Sequence, residues 1–362
     1  MAEAKGEKSE VGSTLERAAE RLARARFPLF GGLYTDIGGA AAAIALAEKL
    51  GGVIDHAASA GLARAAKVMR ETGATPASFG EVRNRADTVV IIGKTPLQRD
   101  RDLVAKLIPA KPGLPRPGKN KRELILLGAG KVKTPGHVRA TTVDGKATLP
   151  ELIALLAASV REGKFDLRDK ALRAKIDAAA KRLRDSAFAV FVYDPAELEE
   201  PVLHTVLEIA RHLVVKTRAA ILSLSAPGNG DGVNLCSTWT CGLPVRTSFA
   251  GAVPQNNMWA YETGRLLKGG EVDVIVWIDG LHGESAARPD APAIILSSKP
   301  VKSRRGDIVI PVGAAGGDHD AALYLPAISG IGMVKASKVD KKPTVAATLT
   351  RIAGLIGAKR AA

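Results

Sequence analysis

The stretch FPLFGGLYTDIGGAAAAIALAEKLGGVID, residues 27–55, decides the fold class. Phe27 to Leu33 is a short apolar run, Ile37 to Leu50 has helical spacing, and Val53 to Asp55 is apolar again, so the segment reads strand, helix, strand. The same alternation continues along the chain. Further strands are predicted at Thr88 to Gly93, Glu123 to Leu127, Ala187 to Tyr193, Ala219 to Ser225, Val272 to Ile278, Ala293 to Leu296 and Asp307 to Val312. Helical spacing is found over Leu62 to Glu71, Leu149 to Val160, Leu167 to Leu183, Glu197 to Leu213 and Trp259 to Lys268. Near-continuous β-branched runs suit strands buried on both faces, as in parallel sheets. Helices between them supply the right-handed crossovers of an α/β fold.

The first strand-to-helix turn carries Gly31-Gly32 and Gly38-Gly39, which invites a phosphate-binding reading. The spacing is not G-x-G-x-x-G, and Tyr34 and Asp36 bring bulk and negative charge where a pyrophosphate would sit. A second glycine-rich turn, Gly313, Gly316 and Gly317, precedes Asp318, His319 and Asp320, a trio that reads as a solvated polar turn before it reads as a metal site. His204 and His212 are eight residues apart, which does not make the i, i+4 pair of a zincin, and no serine sits in G-x-S-x-G. The chain offers no convincing catalytic centre of its own.

The largest interruption of the pattern is Asn229 to Asn257, NGDGVNLCSTWTCGLPVRTSFAGAVPQNN. Long ordered loops in compact domains are usually functional, and this one is expected to embrace a ligand or a partner. It holds the two cysteines of the chain, Cys236 and Cys241, around Trp239. With no second pair and no His in the loop, a zinc site is disfavoured against two small buried thiols, and two cysteines make no disulfide framework.

At 362 residues and 46% hydrophobic content the chain can bury a core large enough for two domains. No apolar run reaches the ~18 residues that span a bilayer, and the charged start lacks a signal-peptide core, so no membrane and a cytoplasmic location are expected. Formal charge is +15, with eleven Lys or Arg against three acids between Arg99 and Arg139, around the proline-rich run Lys111 to Gly118. That segment has no aromatic residue to stack bases, and aromatics are 4% overall, which argues against nucleic acid. A solvated basic face and an anion-attracting one both remain open.

Three segments resemble the B-subunit family of formylmethanofuran dehydrogenases. Trp239-Thr240-Cys241-Gly242-Leu243-Pro244, then Phe249 and Pro254, is similar to its pterin-dinucleotide loop; Gly80 to Asp87 (GEVRNRAD) followed by Val89 to Ile92 is similar to its GEVKNRAD-strand segment; Pro28 to Leu33 and Gly52 to Asp55 match its opening strand-helix-strand. The resemblance spans roughly 27 to 313. It implies two Rossmann-like parallel-sheet domains, one inserted in the other, as in the pterin-binding domains of molybdopterin oxidoreductases. The boundaries expected from it are a flexible tail at 1–14, a first domain of 15–60 plus 256–362, and an inserted domain of 61–254.

The departures decide the expected function. In the redox members a cysteine-rich start holds an iron-sulfur cluster, and a metal-ligating Cys follows the D-x-x-x-S segment. Here residues 1–11 have no cysteine, and Asp55 to Ala60 is followed by Gly61, which cannot ligate tungsten or molybdenum. A thiolate-held cluster needs ~4 cysteines. The family's R-G-Y-P-R reads Gly251-Ala252-Val253-Pro254-Gln255, so two arginines that would face an anionic cofactor are gone. Ser59, Gly61, Trp239, Thr240, Gly242, Pro244, Gly251, Pro254, Gln255, Asn256 and Asn257 then line a vestigial cofactor cleft, with no catalytic residue, cofactor or metal in this chain. Without a cofactor, Trp239, Val245 and Phe249 would form an apolar patch if left exposed.

The resemblance implies a structural subunit of a formyltransferase/hydrolase complex of one-carbon metabolism. An amidohydrolase-like partner with a dinuclear metal, a formyltransferase and a β-helical subunit are the implied partners. A working molybdopterin oxidoreductase with Ser59 as the nearest hydroxyl ligand, and an independent anion- or nucleotide-binding protein, are the rival readings.

Overall fold

Every predicted strand is present, and most are buried on both faces because helices cover the sheets from either side. The computed structural model describes residues 2–109 and 122–361, with side chains over 12–109 and 122–358. The chain opens with α1 (Ala2–Ala23), β1 (Pro28–Tyr34), α2 (Ile37–Leu50) and β2 (Val53–Ile54). It continues through α3 (Ser59–Thr72), α4 (Phe79–Arg85), β3 (Thr88–Ile92), α5 (Thr95–Arg99), α6 (Leu103–Leu107), β4 (Arg122–Leu127), β5 (Val138–Val143), α7 (Leu149–Val160), α8 (Lys170–Arg184), β6 (Phe188–Tyr193), α9 (Glu200–Val214) and β7 (Arg218–Ser223). The last third holds α10 (Gly230–Cys241), β8 (Thr247–Ser248), β9 (Gln255–Asn256), α11 (Thr263–Lys268), β10 (Val274–Asp279), β11 (Ile294–Ser297), β12 (Ile308–Pro311), β13 (Ala321–Leu325), β14 (Gly330–Val334) and α12 (Val345–Ala361).

The chain divides into two compact units. Unit one comprises Met1–Ala63, Ala226–Leu325 and Gly330–Ala362; unit two comprises Arg64–Ser225 and Pro326–Ser329. Unit two thus interrupts unit one along the chain, and the second crossing falls at Ser225/Ala226, whereas the sequence reading put it at 254–256. The whole Asn229 to Asn257 segment belongs to unit one.

Unit one is built on a seven-stranded sheet in the order β12-β11-β10-β1-β2-β8-β9, parallel from β12 to β2 with antiparallel β8 and β9 at the edge. Alternation along the strands sends Phe30, Val276, Ile278 and Ile294 to a core shared with α1, α2 and α12. Leu29, Ile275, Trp277 and Ile295 face the other way, onto Leu266 of α11. β13 and β14 form a separate antiparallel hairpin. Unit two is an all-parallel sheet in the order β5-β4-β3-β6-β7, with a core on each face.

Two sequence expectations change. The segment 1–14, expected as a flexible tail, is helical from Ala2 as part of α1, because Leu15, Ala18, Ala19 and Leu22 bury one face at helical spacing. Asn229 to Asn257 is not one loop: α10 occupies its first half. The Gly and Asn residues read as loop markers sit at that helix's ends, with Asn229 at φ +59° before it and Gly242 at φ +79° after it, while Val233, Cys236 and Ser237 are buried between them. The run Lys111 to Gly118 lies outside the described residues.

The glycines of the first turn have a packing explanation. A Cβ on Gly31 would stand 2.7 Å from the Trp277 ring, and one on Gly32, at φ +74°, 2.6 Å from the Ile278 carbonyl oxygen. The start of α2 is capped by its own residue, since the Asp36 carboxylate accepts from the Gly39 N–H at 2.9 Å.

Candidate functional site

Asp55 follows β2, Ser59 opens α3, Arg246 precedes β8 and Thr263 opens α11; unit one brings these four together. Ser59 Oγ donates to Asp55 Oδ1 at 2.5 Å. The other carboxylate oxygen accepts from both the N–H and the Oγ1 of Thr263, each at 2.8 Å. Arg246 Nε lies 3.5 Å from Asp55 Oδ1 and donates to Ser59 Oγ at 3.1 Å, while its Nη1 donates to the Met258 carbonyl. Asp55 is 2% and Arg246 8% exposed. Desolvation by this burial raises the Asp55 carboxyl above its ordinary range, against the opposing pull of Arg246, Ser59 and Thr263.

Arg246 sits at φ +65°, a left-handed backbone that costs a non-glycine residue about 1–3 kcal/mol. Its surroundings hold it there. Its N–H donates to the Ile54 carbonyl at 3.0 Å, and its own carbonyl accepts from Asn256 Nδ2 at 2.9 Å and from the Asn257 N–H at 3.2 Å. Next to Asp55, His56 is fully enclosed: Nδ1 accepts from the Ala58 N–H at 3.0 Å, so Nε2 carries the proton and donates to the Gly228 carbonyl at 3.1 Å. The ring stacks on Tyr34 at 5.2 Å, and burial pulls its pKa down to about 4.

The residues singled out from the sequence fall into three groups. Ser59 and Gly61 are buried at the start of α3. Trp239 and Thr240 lie on the exposed side of α10, and Gly242 ends it. Pro244, Gly251, Pro254, Gln255, Asn256 and Asn257 shape the turns around β8 and β9: the Pro244 carbonyl accepts from Thr247 Oγ1 at 2.7 Å, and Asn257 Oδ1 caps the N–H groups of Trp259 and Ala260. Of all these, only Ser59 joins the buried cluster. The expected apolar patch is reduced to Trp239, since Val245 and Phe249 are buried. Sequence reading missed Asp55, Arg246 and Thr263 as a group; the signal available was a charged pair, Asp55 and Arg246, in otherwise apolar, strand-like surroundings.

A tungsten or molybdenum pterin does not fit these residues. Gly61 has no donor atom, and the Ser59 hydroxyl is spent on Asp55 while accepting from Arg246. The strand ends where α/β folds hold ligands are likewise occupied by the chain's own carboxylates. In unit one Asp36 caps α2, and Asp279 accepts from Ser285 Oγ at 2.6 Å and the Ala286 N–H at 3.1 Å. In unit two Glu197 accepts from the N–H groups of Lys94 and Thr95 at 2.8 and 3.0 Å, directly after β3.

Two weaker candidates are also accounted for. Asp318 accepts from the Ala314 N–H, and Asp320 pairs with Lys335 at 2.6 Å, so the Asp318-His319-Asp320 turn does not converge on an ion. Among the described residues Glu71, Glu200 and His204 are the group close enough to share a metal, but Lys67 Nζ stands 2.5 Å from Glu200 Oε1 and supplies the positive charge itself. A concavity of about 650 Å³ beside β10 and β11 is bordered by Arg288, Lys299, Lys302 and Arg304; Arg288 pairs with Asp307, Arg304 with Asp290, and Lys299 Nζ donates to the Glu284 carbonyl.

Fold and site together define a two-unit α/β scaffold with a buried polar cluster after β2 of unit one. No protein-family model matches the chain. It is 30% identical over 359 residues to the B subunit of the formyltransferase/hydrolase complex of Methylorubrum extorquens, covering 96% of each. It is 23% identical over 329 residues to the B subunit of the tungsten-containing formylmethanofuran dehydrogenase 2 of Methanocaldococcus jannaschii, covering 86% of this chain and 75% of that one. A chain in the crystal structure of the Methylorubrum extorquens formyltransferase/hydrolase complex with methylofuran superposes with a TM-score of 0.86 at 28% identity, covering 97% of both. The chain belongs to the B-subunit family of formyltransferase/hydrolase complexes, which is related to the B subunits of formylmethanofuran dehydrogenases.

Proposed function

We propose that this chain is a non-catalytic structural subunit of a formyltransferase/hydrolase complex, one that moves a formyl group from formyl-tetrahydromethanopterin to a methanofuran-type carrier and releases formate. The observation that carries this is the Asp55–Ser59–Arg246–Thr263 cluster beside Gly61: both Asp55 carboxylate oxygens, the Ser59 hydroxyl and the Nε and Nη1 of Arg246 are bonded within the chain. In this reading the chemistry belongs to an amidohydrolase-like partner with a dinuclear metal and to a formyltransferase partner, and a β-helical subunit shares the core. The complex works in the cytoplasm; among the described residues no helix is long and apolar enough to cross a membrane.

Affinity purification of the tagged chain from its native cell, with mass spectrometry and elemental analysis, tests this. The expected outcome is co-purification of the three other subunits, with tungsten, molybdenum and iron far below one per copy of this chain. Near one tungsten or molybdenum per chain would instead support the working oxidoreductase. A lone chain retaining a phosphorylated ligand would support the independent anion-binding protein.

A further inference from the structure

Unit one has a basic concavity at the carboxyl ends of two of its strands, the side on which parallel α/β sheets take ligands. Its volume is about 650 Å³, within the range of small-molecule sites. It is bordered by Asp279 and Ser297, the last residues of β10 and β11, and by the loop that follows β11. The lining holds four cations, Arg288, Lys299, Lys302 and Arg304, against one carboxylate, Asp279. Asp279 is committed to its own segment, with one oxygen on Ser285 Oγ and the other on the Ala286 N–H. Arg288 is neutralised by Asp307, whereas Asp290, the partner of Arg304, is 98% exposed and holds it weakly. Lys299 Nζ meets a carbonyl, that of Glu284, rather than a carboxylate. Lys302 is exposed and pairs with no carboxylate among the described residues.

Donors without acceptors say what the concavity suits. Trp277 Nε1 and Arg288 Nε are buried with no hydrogen-bond partner, and both residues line it. Trp277 is 3% exposed, so its indole N–H has left water without an acceptor in the chain, an arrangement that costs free energy. In the loop after β11 the N–H groups of Val301, Lys302 and Ser303 also make no hydrogen bond among the described residues. Their neighbours do: the Lys299 N–H donates to Ser297 Oγ and the Arg304 N–H to Asp307. The arginine forks, which grip carboxylates through two parallel bonds, are already set on Asp307 and Asp290. What remains is lysine point charge and free backbone N–H, the combination that suits a phosphate with its several acceptor oxygens.

We propose that this concavity of unit one binds a phosphate dianion, free or as the monoester of a small molecule, held by Lys299, Lys302 and the N–H groups of residues 301–303, with Trp277 Nε1 donating to the ligand. The volume far exceeds that of a bare phosphate, so an ester is the expected source. The site is argued from unit one alone and rests on no reading of the assembly.

Calorimetric titration with ribose 5-phosphate, inorganic phosphate and citrate tests it, on the phosphate-free complex or, where purification yields no partner, on the full-length chain alone. The expected result is that ribose 5-phosphate binds and that Lys302→Glu weakens its Kd by about tenfold or more. The Lys302 side chain is exposed, so the melting temperature should be unchanged. Ser303→Asp, at another exposed position, should repeat the loss and serves should the first variant fold poorly. Trp277→Phe separates the two sources. A several-fold loss for ribose 5-phosphate with none for inorganic phosphate supports an ester whose body accepts from the indole, whereas equal affinities and equal losses for both support free phosphate. Absence of binding by either phosphate probe, or binding unchanged in both Lys302→Glu and Ser303→Asp, overturns the proposal. Citrate binding more tightly than both phosphates overturns it in favour of a carboxylate site.

Discussion

The two units solve the same architectural problem, a parallel sheet with exposed strand ends, by different means. Unit one has 22 Lys or Arg against 19 Asp or Glu and all three tryptophans; unit two has 30 against 18 and none. Unit one takes a carboxylate and a guanidinium out of water and bonds them to Ser59, Thr263 and Met258. Unit two keeps its corresponding pair half in solvent: Arg99 reaches Asp194 at 2.5 Å, but the arginine side chain is 33% exposed. The segments that resemble a cofactor loop thus survive as internal bonding in unit one, whereas unit two presents its charge on the surface.

Deleting the arginine of each pair is the strongest way to break this comparison. Removing one partner of a buried pair leaves an uncompensated charge and costs about 3–5 kcal/mol, which is the loss expected for Arg246→Ala. Arg246→Gly should lose about 1 kcal/mol less, because glycine relieves the left-handed backbone at φ +65°. For Arg99→Ala the expected loss is about 1–2 kcal/mol, since Asp194 keeps its bond from the Ala196 N–H at 2.8 Å and water can reach the vacated place. Urea denaturation of the three variants measures this. Equal losses in Arg246→Ala and Arg99→Ala would show that burial does not separate the two pairs.

A smaller effect concerns pH, and unit one again should supply it. His56 is buried neutral with its pKa lowered to about 4 from its ordinary 6.5, so between these values the unfolded chain binds the extra proton. Stability is then fully present above about pH 6.5 and falls as pH drops toward 4, by up to about 3 kcal/mol. Asp55, raised by desolvation, works the other way: its folded form holds a proton longer than the unfolded form, which favours the fold on the acid side of its window. His56→Phe removes the first contribution. Its melting temperature should change less between about pH 7 and 5 than that of the wild type, and an undiminished slope would place the acid sensitivity elsewhere.

How much of this was legible depended on whether the deciding contact was local. All nine predicted strands exist because a fully buried parallel strand writes its burial into consecutive residues, as Thr88 to Ile92 does. The edge strands β8 and β9, two residues each, carry no such signal, and β5 is buried only at its two ends, Val138 and Val143. α10 was hidden because its glycines read as loop markers although two of them lie in its first turn. Gly61 was readable, since the absence of a donor is a property of one residue. The cluster was not, because Asp55 and Arg246 lie 191 positions apart and only the pairing of β2 with β8 brings them together.

The smallest expected difference compares the two carboxylates that fill the strand-end turns. Asp36 caps α2 through one bond to the Gly39 N–H, and asparagine is as good a helix cap as aspartate, so Asp36→Asn should change stability by less than about 0.5 kcal/mol. Glu197 uses both carboxylate oxygens, one on the Lys94 N–H and one on the Thr95 N–H. Glutamine offers only one acceptor and sets an NH₂ against the other N–H, so Glu197→Gln should cost about 1–2 kcal/mol. Gly93 is tied to the same arrangement, since its φ is +79° and a Cβ there would stand 2.3 Å from the Glu197 carboxylate. If chemical denaturation finds Glu197→Gln as harmless as Asp36→Asn, the Glu197 carboxylate is a surface ornament of that turn. If the loss appears, the Glu197 carboxylate holds the turn after β3, as Asp279 holds the segment after β10 in unit one.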